Sequence, residues 1–568
     1  MAMKNSPYWE VAPLNRELTL KLAEDLGLPP LLIHLLLTRG LNDPHEIYRH
    51  LNPKLSDFPD PFLLEDMEKA VNRLVKAIYN REKITIYGDY DVDGTTGAAI
   101  LYLFLKELGL EPLVIFPHRE RDGYGLHPHL IASLKERGIS LLISVDCGIS
   151  AHEACRVARE NGLEVIITDH HEVPEEISEA LAVINPKRKG NRYPFRELAG
   201  VGVAFALLRA LRQRLYEEGF FGQNPPKLKN YLDLVALGTI ADIVPLTGEN
   251  RLIAWFGLRE LKESERPGLK ALKKLAGLEN GLVDTNSVMF RLAPRINAAG
   301  RLKEAELAFK LFVTTDETEA KTLAEELHQL NAKRQQIEDR ILKEALAKIE
   351  KDLGPDRLAY VLSGEDWPLG IIGIVASRLQ EALYRPVILL TLKDGLARGS
   401  GRSIPEINLY QCLSDCRQYL KAFGGHPAAA GLKILEENIS AFARKFEEII
   451  KAKLDGKIPR PRLKLDAWVR VRHILEPSFL ENFIRLEPFG PGYPEPLFGL
   501  KNFEVRNISL VKEKHLKLFV WQEGLGLPAI AFRFGNSIPK GIKAIAGNLE
   551  ISAFQGRNYL QLRIKDLV

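Results

Sequence analysis

The chain has 568 residues, a net charge of +4, 46% hydrophobic and 27% charged residues, and four cysteines. That length exceeds one core and implies several domains, and the composition excludes a disordered or fibrous protein. No apolar run approaches a membrane span, the start Met1 to Pro7 shows no apolar leader, and no C-x-x-C occurs, so a cytoplasmic protein without disulfides or structural zinc is expected.

Residues 1–50 read as a helical lead-in, broken at Pro29-Pro30 and Pro44. Helix and strand patterns then alternate. A helix over 67–80 precedes the strand at Ile84-Thr85-Ile86-Tyr87. A helix from Thr96 to Leu108 leads to a strand from Pro112 to Phe116. A helix from Pro128 to Arg137 precedes the strand Leu141 to Val145, and one from Ala151 to Asn161 precedes the strand at Val165. Short strands alternating with helices predict a doubly wound, parallel-sheet α/β domain, here over 51–315. Residues 316–352 contain no Gly or Pro, and Leu323, Leu327, Leu330, Ile337, Ile341, Ala345 and Ile349 recur at helical steps. One long connecting helix is predicted, a strut between domains. A second α/β unit is expected over 353–456, with strands at Leu358 to Leu362 and Pro386 to Thr391. Residues 457–568 open on the linker-like Pro459-Arg460-Pro461-Arg462 and then carry short alternating strands, which predict a small β-barrel. This last module holds 18 Lys+Arg against 10 Asp+Glu, or +8, which leaves −4 for the rest of the chain. A basic tail on a mildly acidic body suits a polyanionic partner.

The chemistry-bearing residues stand at the ends of the apolar runs. Asp89, Asp91 and Asp93 follow the first strand, spaced by two and closed by Gly94. On an extended backbone they would share one face, and three carboxylates side by side repel unless cations neutralise them. Asp146 follows the strand ending at Val145, and Asp169-His170-His171 follows the one ending at Thr168. Asp242 lies in the apolar run from Gly238 to Leu246, read as a fourth strand-like element. Strand ends meet along one edge of a parallel sheet, so these side chains can converge. Hard oxygen ligands with a little imidazole suit Mn²⁺ or Mg²⁺, and paired ions of this kind cleave phosphodiesters. In the second unit, Arg398-Gly399-Ser400-Gly401-Arg402-Ser403 sets two arginines among glycines, and Phe423-Gly424-Gly425-His426 opens a second glycine-rich stretch. Both read as phosphate-gripping loops, with Arg398, Arg402, Ser403 and His426 as candidates, while Asn297 and Arg301 are candidates facing substrate phosphate. In the C-terminal module Lys512, Lys514, Lys517, Phe519, Trp521, Phe532, Arg533 and Phe534 mix basic and aromatic character, which suits a single nucleic-acid strand.

The order Asp89-x-Asp91-x-Asp93-Gly94, Val145-Asp146-Cys147-Gly148, Asp169-His170-His171, Ala241-Asp242 resembles the four motifs of the DHH phosphoesterase superfamily. Pro294 to Arg301 and the Gly-Gly-His stretch extend the likeness over nearly the whole chain, toward its single-strand-specific 5′→3′ DNA exonuclease branch. The resemblance implies a DHH domain, a DHH-associated substrate-binding domain and a C-terminal oligonucleotide-binding (OB) barrel. It implies two divalent cations, Mn²⁺ or Mg²⁺, held by Asp91, Asp93, Asp146, His170 and Asp242. Asp89 would contribute to one ion and Asp146 would bridge both. His171 would steady the scissile phosphate, and the attacking water would owe its acidity to the ions. Release of 5′-mononucleotides in DNA repair and recombination would follow, with single-stranded DNA as substrate and a RecQ-type helicase and a single-strand-binding protein as partners. The alternative is a phosphodiesterase of the same superfamily acting on oligoribonucleotides or cyclic dinucleotides, which would not need the basic barrel. One departure stands out: family sequences usually carry His after the tryptophan at 367, where this chain has Pro368.

Overall fold

The computed structural model describes all residues except 1–6, 120, 280, 355, 513, 535–537, 540 and 555–556, and the side chains of 551–554 and 557–559. The first six residues, part of the segment read above for a leader, therefore lie outside the described ones.

Five parallel strands form the first sheet, in the order Leu113–Ile115, Ile84–Gly88, Leu141–Val145, Glu164–Thr168, Ala182–Ile184. Ile84–Gly88 and Leu141–Val145 are buried throughout, which is why they read as unbroken apolar runs. Alternate residues feed two cores. Ile86, Leu141, Ile143 and Ile166 pack under the helices Met67–Tyr79, Val92–Glu107 and Gly200–Glu217. Tyr87, Leu142, Val165 and Ile167 pack on the opposite face with Ala154, Cys155 and Ala158 of His152–Glu160. The strand order reverses direction between Ile84–Gly88 and Leu141–Val145, so a crevice opens at their carboxyl ends.

The predicted strut is one helix, Glu317–Lys348, begun by Asp316, whose side chain accepts the Glu319 N–H, and continued by a π-turn over Ile349–Leu353. At about 1.5 Å per residue its 32 residues span roughly 48 Å. Leu323, Ala324 and Leu327 belong to the core under Met67–Tyr79 and Val92–Glu107, and Ile341, Ala345 and Ile349 to a separate core with Tyr360, Trp367 and Val375. Between those stretches its buried face turns polar, with Asn331, Arg334 and Glu338.

The second sheet runs Leu420–Gly425, Ala429–Leu435, Leu396–Arg402, Val387–Lys393, Tyr360–Glu365, antiparallel except for its last pair. Both glycine-rich stretches, read as loops from sequence, lie largely in these strands: Gly399 pairs with Leu432, Ser400 with Gly431 and Gly401 with Ala430. A Cβ at Gly399 would stand 2.4 Å from Leu390 Cδ2, so the missing side chain makes room for core leucine.

The C-terminal module is a seven-stranded sheet that shares one core with the N-terminal helices. Leu32, Ile33, Leu35, Leu36 and Ile47 pack with Val471, Phe479, Phe483 and Phe498, and the strand Tyr8–Val11 pairs in parallel with Arg462–Leu465. Arg251, buried in the first α/β domain, docks this module by donating to the carbonyls of Leu486, Pro488, Arg485 and Glu487. Among the described residues no helix is long and apolar enough to cross a membrane.

Candidate metal centre

Asp89 follows the strand Ile84–Gly88, and its backbone N–H donates to Val145 O. Asp91 is the N-cap of Val92–Glu107, its side chain accepting the Gly94 N–H at 3.0 Å. Asp93 lies inside that helix and accepts the N–H groups of Gly200 (2.6 Å) and Val201 (2.8 Å) at the start of a second helix. The acidic triplet therefore straddles a strand end and a helix N-terminus rather than one extended face. The helix starts at Val92, four residues earlier than its sequence pattern suggests. Two helix N-termini thus aim positive dipole ends at the carboxylates.

Asp146 follows Leu141–Val145 with φ +63, and its N–H donates to Thr168 O. The glycine at 200 permits this packing, because a Cβ there would stand 2.6 Å from Asp146 Cβ. Asp242 corrects the sequence reading: it is the C-cap of the helix Leu232–Ala241 and not a strand end. That helix is buried on every side, so no helical periodicity marks it.

These residues converge. His170 Nε2 stands 3.1 Å from Asp146 Oδ1, 3.5 Å from Asp242 Oδ2 and 3.8 Å from Asp93 Oδ2. Among the described residues three groups could hold a cation: Asp89/Asp91/Asp146, Asp93/His170/Asp242 and Asp146/His170/His171. Asp146 belongs to two of them. The donor set fits divalent cations on a further ground: Asp89 Oδ1, Asp146 Oδ1 and His170 Nε2 are buried and lack a hydrogen-bond partner among the described residues.

The electrostatics agree. Burial, then repulsion from Asp91, pushes Asp93 up to about 7. Burial, then neighbouring carboxylates, holds Asp89, Asp146 and Asp242 well above the usual carboxylate range. Burial, then the charge of His171, lowers His170 to about 3, so its imidazole is neutral and free to ligate. Without cations Asp89, Asp93, Asp146 and Asp242 therefore hold their protons more tightly than free carboxyls do.

Asp169 does a different job. Fully buried, it accepts the backbone N–H groups of Ile149, His170 and His171 and the Nδ1 of His171 at 2.8 Å. Burial would raise its carboxyl, but these bonds, the one from His171 foremost, hold it below the ordinary value. With Nδ1–H spent on Asp169, His171 leaves Nε2 for the crevice, and its side chain is 43% exposed.

Sequence reasoning missed Tyr124. Its hydroxyl donates to Asp146 O (3.1 Å) and lies 2.9 Å from His171 Nδ1. Gly123 and Gly125 flank it with φ +88 and +104, and this Gly-Tyr-Gly turn was the available signal.

The sequence-predicted substrate residues divide. Asn297 Oδ1 accepts the Val92 N–H at 3.2 Å, fixing the helix that carries Asp93. Arg301 donates to Gly370 O, and burial, then Arg119 and Arg334, lowers it to about 10. Arg402 donates to Ser400 Oγ, Ser377 Oγ and Gly401 O, and its guanidinium lies against Gly373, in the same helix, Leu369–Leu383, as Gly370. Arg398 is exposed on the same strand as Arg402. Ser403 turns away: its Oγ is buried and donates to Ile407 O, so the serine beside Arg402 is Ser400. His426 is exposed and adds to Lys187 in holding Glu172, next to His171, below its usual value. Pro368, where family sequences usually carry His, precedes the helix Leu369–Leu383, and its carbonyl accepts the N–H groups of Ile371 and Ile372.

Three family models match the chain: the DHH family N-terminal domain over 83–239, the DHHA1 domain over 356–452 and the RecJ OB domain over 465–566. The single-stranded-DNA-specific exonuclease RecJ of Bacillus subtilis is 39% identical over 566 residues, covering 98% of this chain and 70% of that one. The Escherichia coli protein of the same name is 36% identical over 569 residues, covering 95% and 96%. A crystal structure of RecJ in complex with Mn²⁺ from Thermus thermophilus superposes with a TM-score of 0.84 at 32% identity, covering 100% of this chain and 80% of that one.

Proposed function

The chain belongs to the RecJ family of DHH phosphoesterases, and we propose that it hydrolyses single-stranded DNA from the 5′ end, releasing 5′-mononucleotides. It is a metal-dependent nuclease that uses Mn²⁺ or Mg²⁺. The observation that carries the reading is the convergence of Asp89, Asp91, Asp93, Asp146, His170 and Asp242 on one crevice, with buried ligand atoms that no described protein donor satisfies.

Asp89, Asp91 and Asp146 would hold one cation and Asp93, His170 and Asp242 the other, with Asp146 between them. When bound, such ions polarise the phosphoryl oxygens and make water acidic enough to attack. The protein's own groups do the rest. Asp169 fixes the His171 ring, whose Nε2 edge meets the non-bridging phosphate oxygen and steadies charge as it builds. Tyr124 holds the Asp146 backbone in its left-handed conformation and keeps the His171 ring in place. Arg301 and Arg402, both bonded beside the helix Leu369–Leu383, and Ser400 suit a terminal 5′-phosphate, and the exposed Arg398 and His426 are further candidates for it.

The small-substrate alternative is set aside, because the match runs through the barrel as an OB domain of this family. The basic barrel, with Lys517, Phe519 and Trp521 alternating against its core, suits the trailing strand. Work on cellular DNA in repair and recombination calls for a cytoplasmic enzyme. A nuclease confined to single strands calls for a helicase of the RecQ type to open duplex and a single-strand-binding protein to present the product. The test is digestion of single-stranded DNA labelled at either end, of blunt duplex and of a short RNA, each with Mn²⁺ or Mg²⁺. Loss of the 5′ label first, from the single strand only, supports the reading, and cleavage of RNA alone overturns it.

A further inference from the structure

Ile243 stands directly after Asp242, whose carboxylate meets His170 in the metal centre. Its φ is +62, in the left-handed region, and it is 61% exposed. The residue after a helix C-cap often takes this conformation, and glycine takes it without steric cost. A β-branched side chain there is strained, because its Cβ crowds the following carbonyl. Burial does not compensate, since most of the side chain faces solvent. Neither backbone geometry nor core packing therefore accounts for an isoleucine at this position.

The strain persists because the turn is held from outside. Leu246 N–H donates to Pro491 O at 2.7 Å. Gly490 and Gly492 press so closely on the same turn that a Cβ on them would stand 2.5 Å from Leu246 Cδ1 and 2.8 Å from Pro245 Cβ. The rim of the metal crevice is otherwise polar here, with Asp242 on one side and the Lys187–Glu172 pair nearby. An exposed apolar side chain next to Asp242 gains by covering an apolar surface of the substrate, and on a nucleotide that surface is the base face.

We propose that Ile243 is a substrate-contact residue that packs on the base of the nucleotide whose phosphate occupies the metal centre. The inference rests on the nuclease reading above and adds a source of strand selection to it. An unpaired base can offer its face to Ile243, whereas a base in duplex is covered by its stacked neighbours.

The test uses the full chain with Mn²⁺ and two 5′-phosphorylated oligothymidylates, one normal and one with abasic tetrahydrofuran residues at its first two positions. Wild type is compared with Ile243→Gly, which removes the side chain and relieves the backbone, and with Ile243→Asn, which tolerates the left-handed conformation but is polar. The expected result is about a tenfold loss of kcat/KM on the normal strand in both variants, the scale of losing one aliphatic contact. The abasic strand should be digested equally by all three proteins, and Ile243→Gly should melt no lower than wild type. Equal losses on both strands would overturn the proposal and assign Ile243 to positioning Asp242. No loss on either strand would overturn it as well. Failure of wild type to digest either strand would defeat the nuclease reading itself, and the proposal with it.

Discussion

Asp146 Oδ1 and His170 Nε2 lie 3.1 Å apart, both buried, and neither makes a hydrogen bond to a described residue. Two ligand-type atoms in that relationship need a cation or a proton between them. Chelation with EDTA should therefore abolish activity and lower the melting temperature, and Mn²⁺ should restore both. At 100 times its dissociation constant the ion should add roughly 2.7 kcal/mol of stability. Differential scanning calorimetry of the stripped and reloaded protein measures this.

The metal-free protein should lose stability as pH rises. Asp93 titrates at about 7 in the folded chain, against an ordinary value of 3.8, and Asp89, Asp146 and Asp242 shift the same way. Groups with raised folded values hold protons that the unfolded chain releases, so their stabilisation is complete below about 4 and is lost as pH climbs through 7. Urea unfolding of the stripped protein should give a lower midpoint at pH 8 than at pH 5. Mn²⁺ should narrow the gap, because the ion replaces the protons.

Tyr124→Phe keeps the ring against His171 and removes the hydroxyl that serves Asp146 O and His171. Partners of ligands and of ligand-adjacent imidazoles are typically worth tenfold to hundredfold. We expect kcat to fall by about that factor with KM for DNA little changed, measured in steady-state digestion. An unchanged kcat would remove Tyr124 from the machinery.

Gly200→Ala should destroy the centre without unfolding the sheet. The added methyl would lie 2.6 Å from Asp146 Cβ and 2.9 Å from Asp146 Cα, and a backbone neighbour cannot swing aside. Calorimetric titration should show Mn²⁺ affinity reduced at least about tenfold, while far-ultraviolet circular dichroism stays native.

Much of this architecture was legible in the residues. Ile84–Gly88 and Leu141–Val145 announce themselves as short apolar runs because both faces of a parallel strand are buried. The strut was legible because its core-facing residues keep one helical stripe over many turns. Asp242 was misplaced for the opposite reason. The helix Leu232–Ala241 is apolar all round, so Gly238-Thr239-Ile240-Ala241 reads as a strand. The glycines at 399 and 401 looked like loop residues because a missing side chain signals a turn locally, whereas here it admits Leu390 and Leu409. Tyr124 and the pairing of Tyr8–Val11 with Arg462–Leu465 depend on tertiary contacts that no local pattern encodes.

The most direct test of the account is the Asp146→Asn variant, assayed beside wild type on 5′-labelled and 3′-labelled single strands with saturating Mn²⁺. Asparagine accepts the left-handed backbone at φ +63 and preserves volume, so the fold survives and only the shared anionic ligand is lost. The account predicts that wild type releases labelled mononucleotide first from the 5′ label and leaves duplex intact, while the variant is slower by about a thousandfold or more. Digestion by Asp146→Asn at the wild-type rate would contradict it, because the Asp and His cluster would then not be where the phosphodiester is cut.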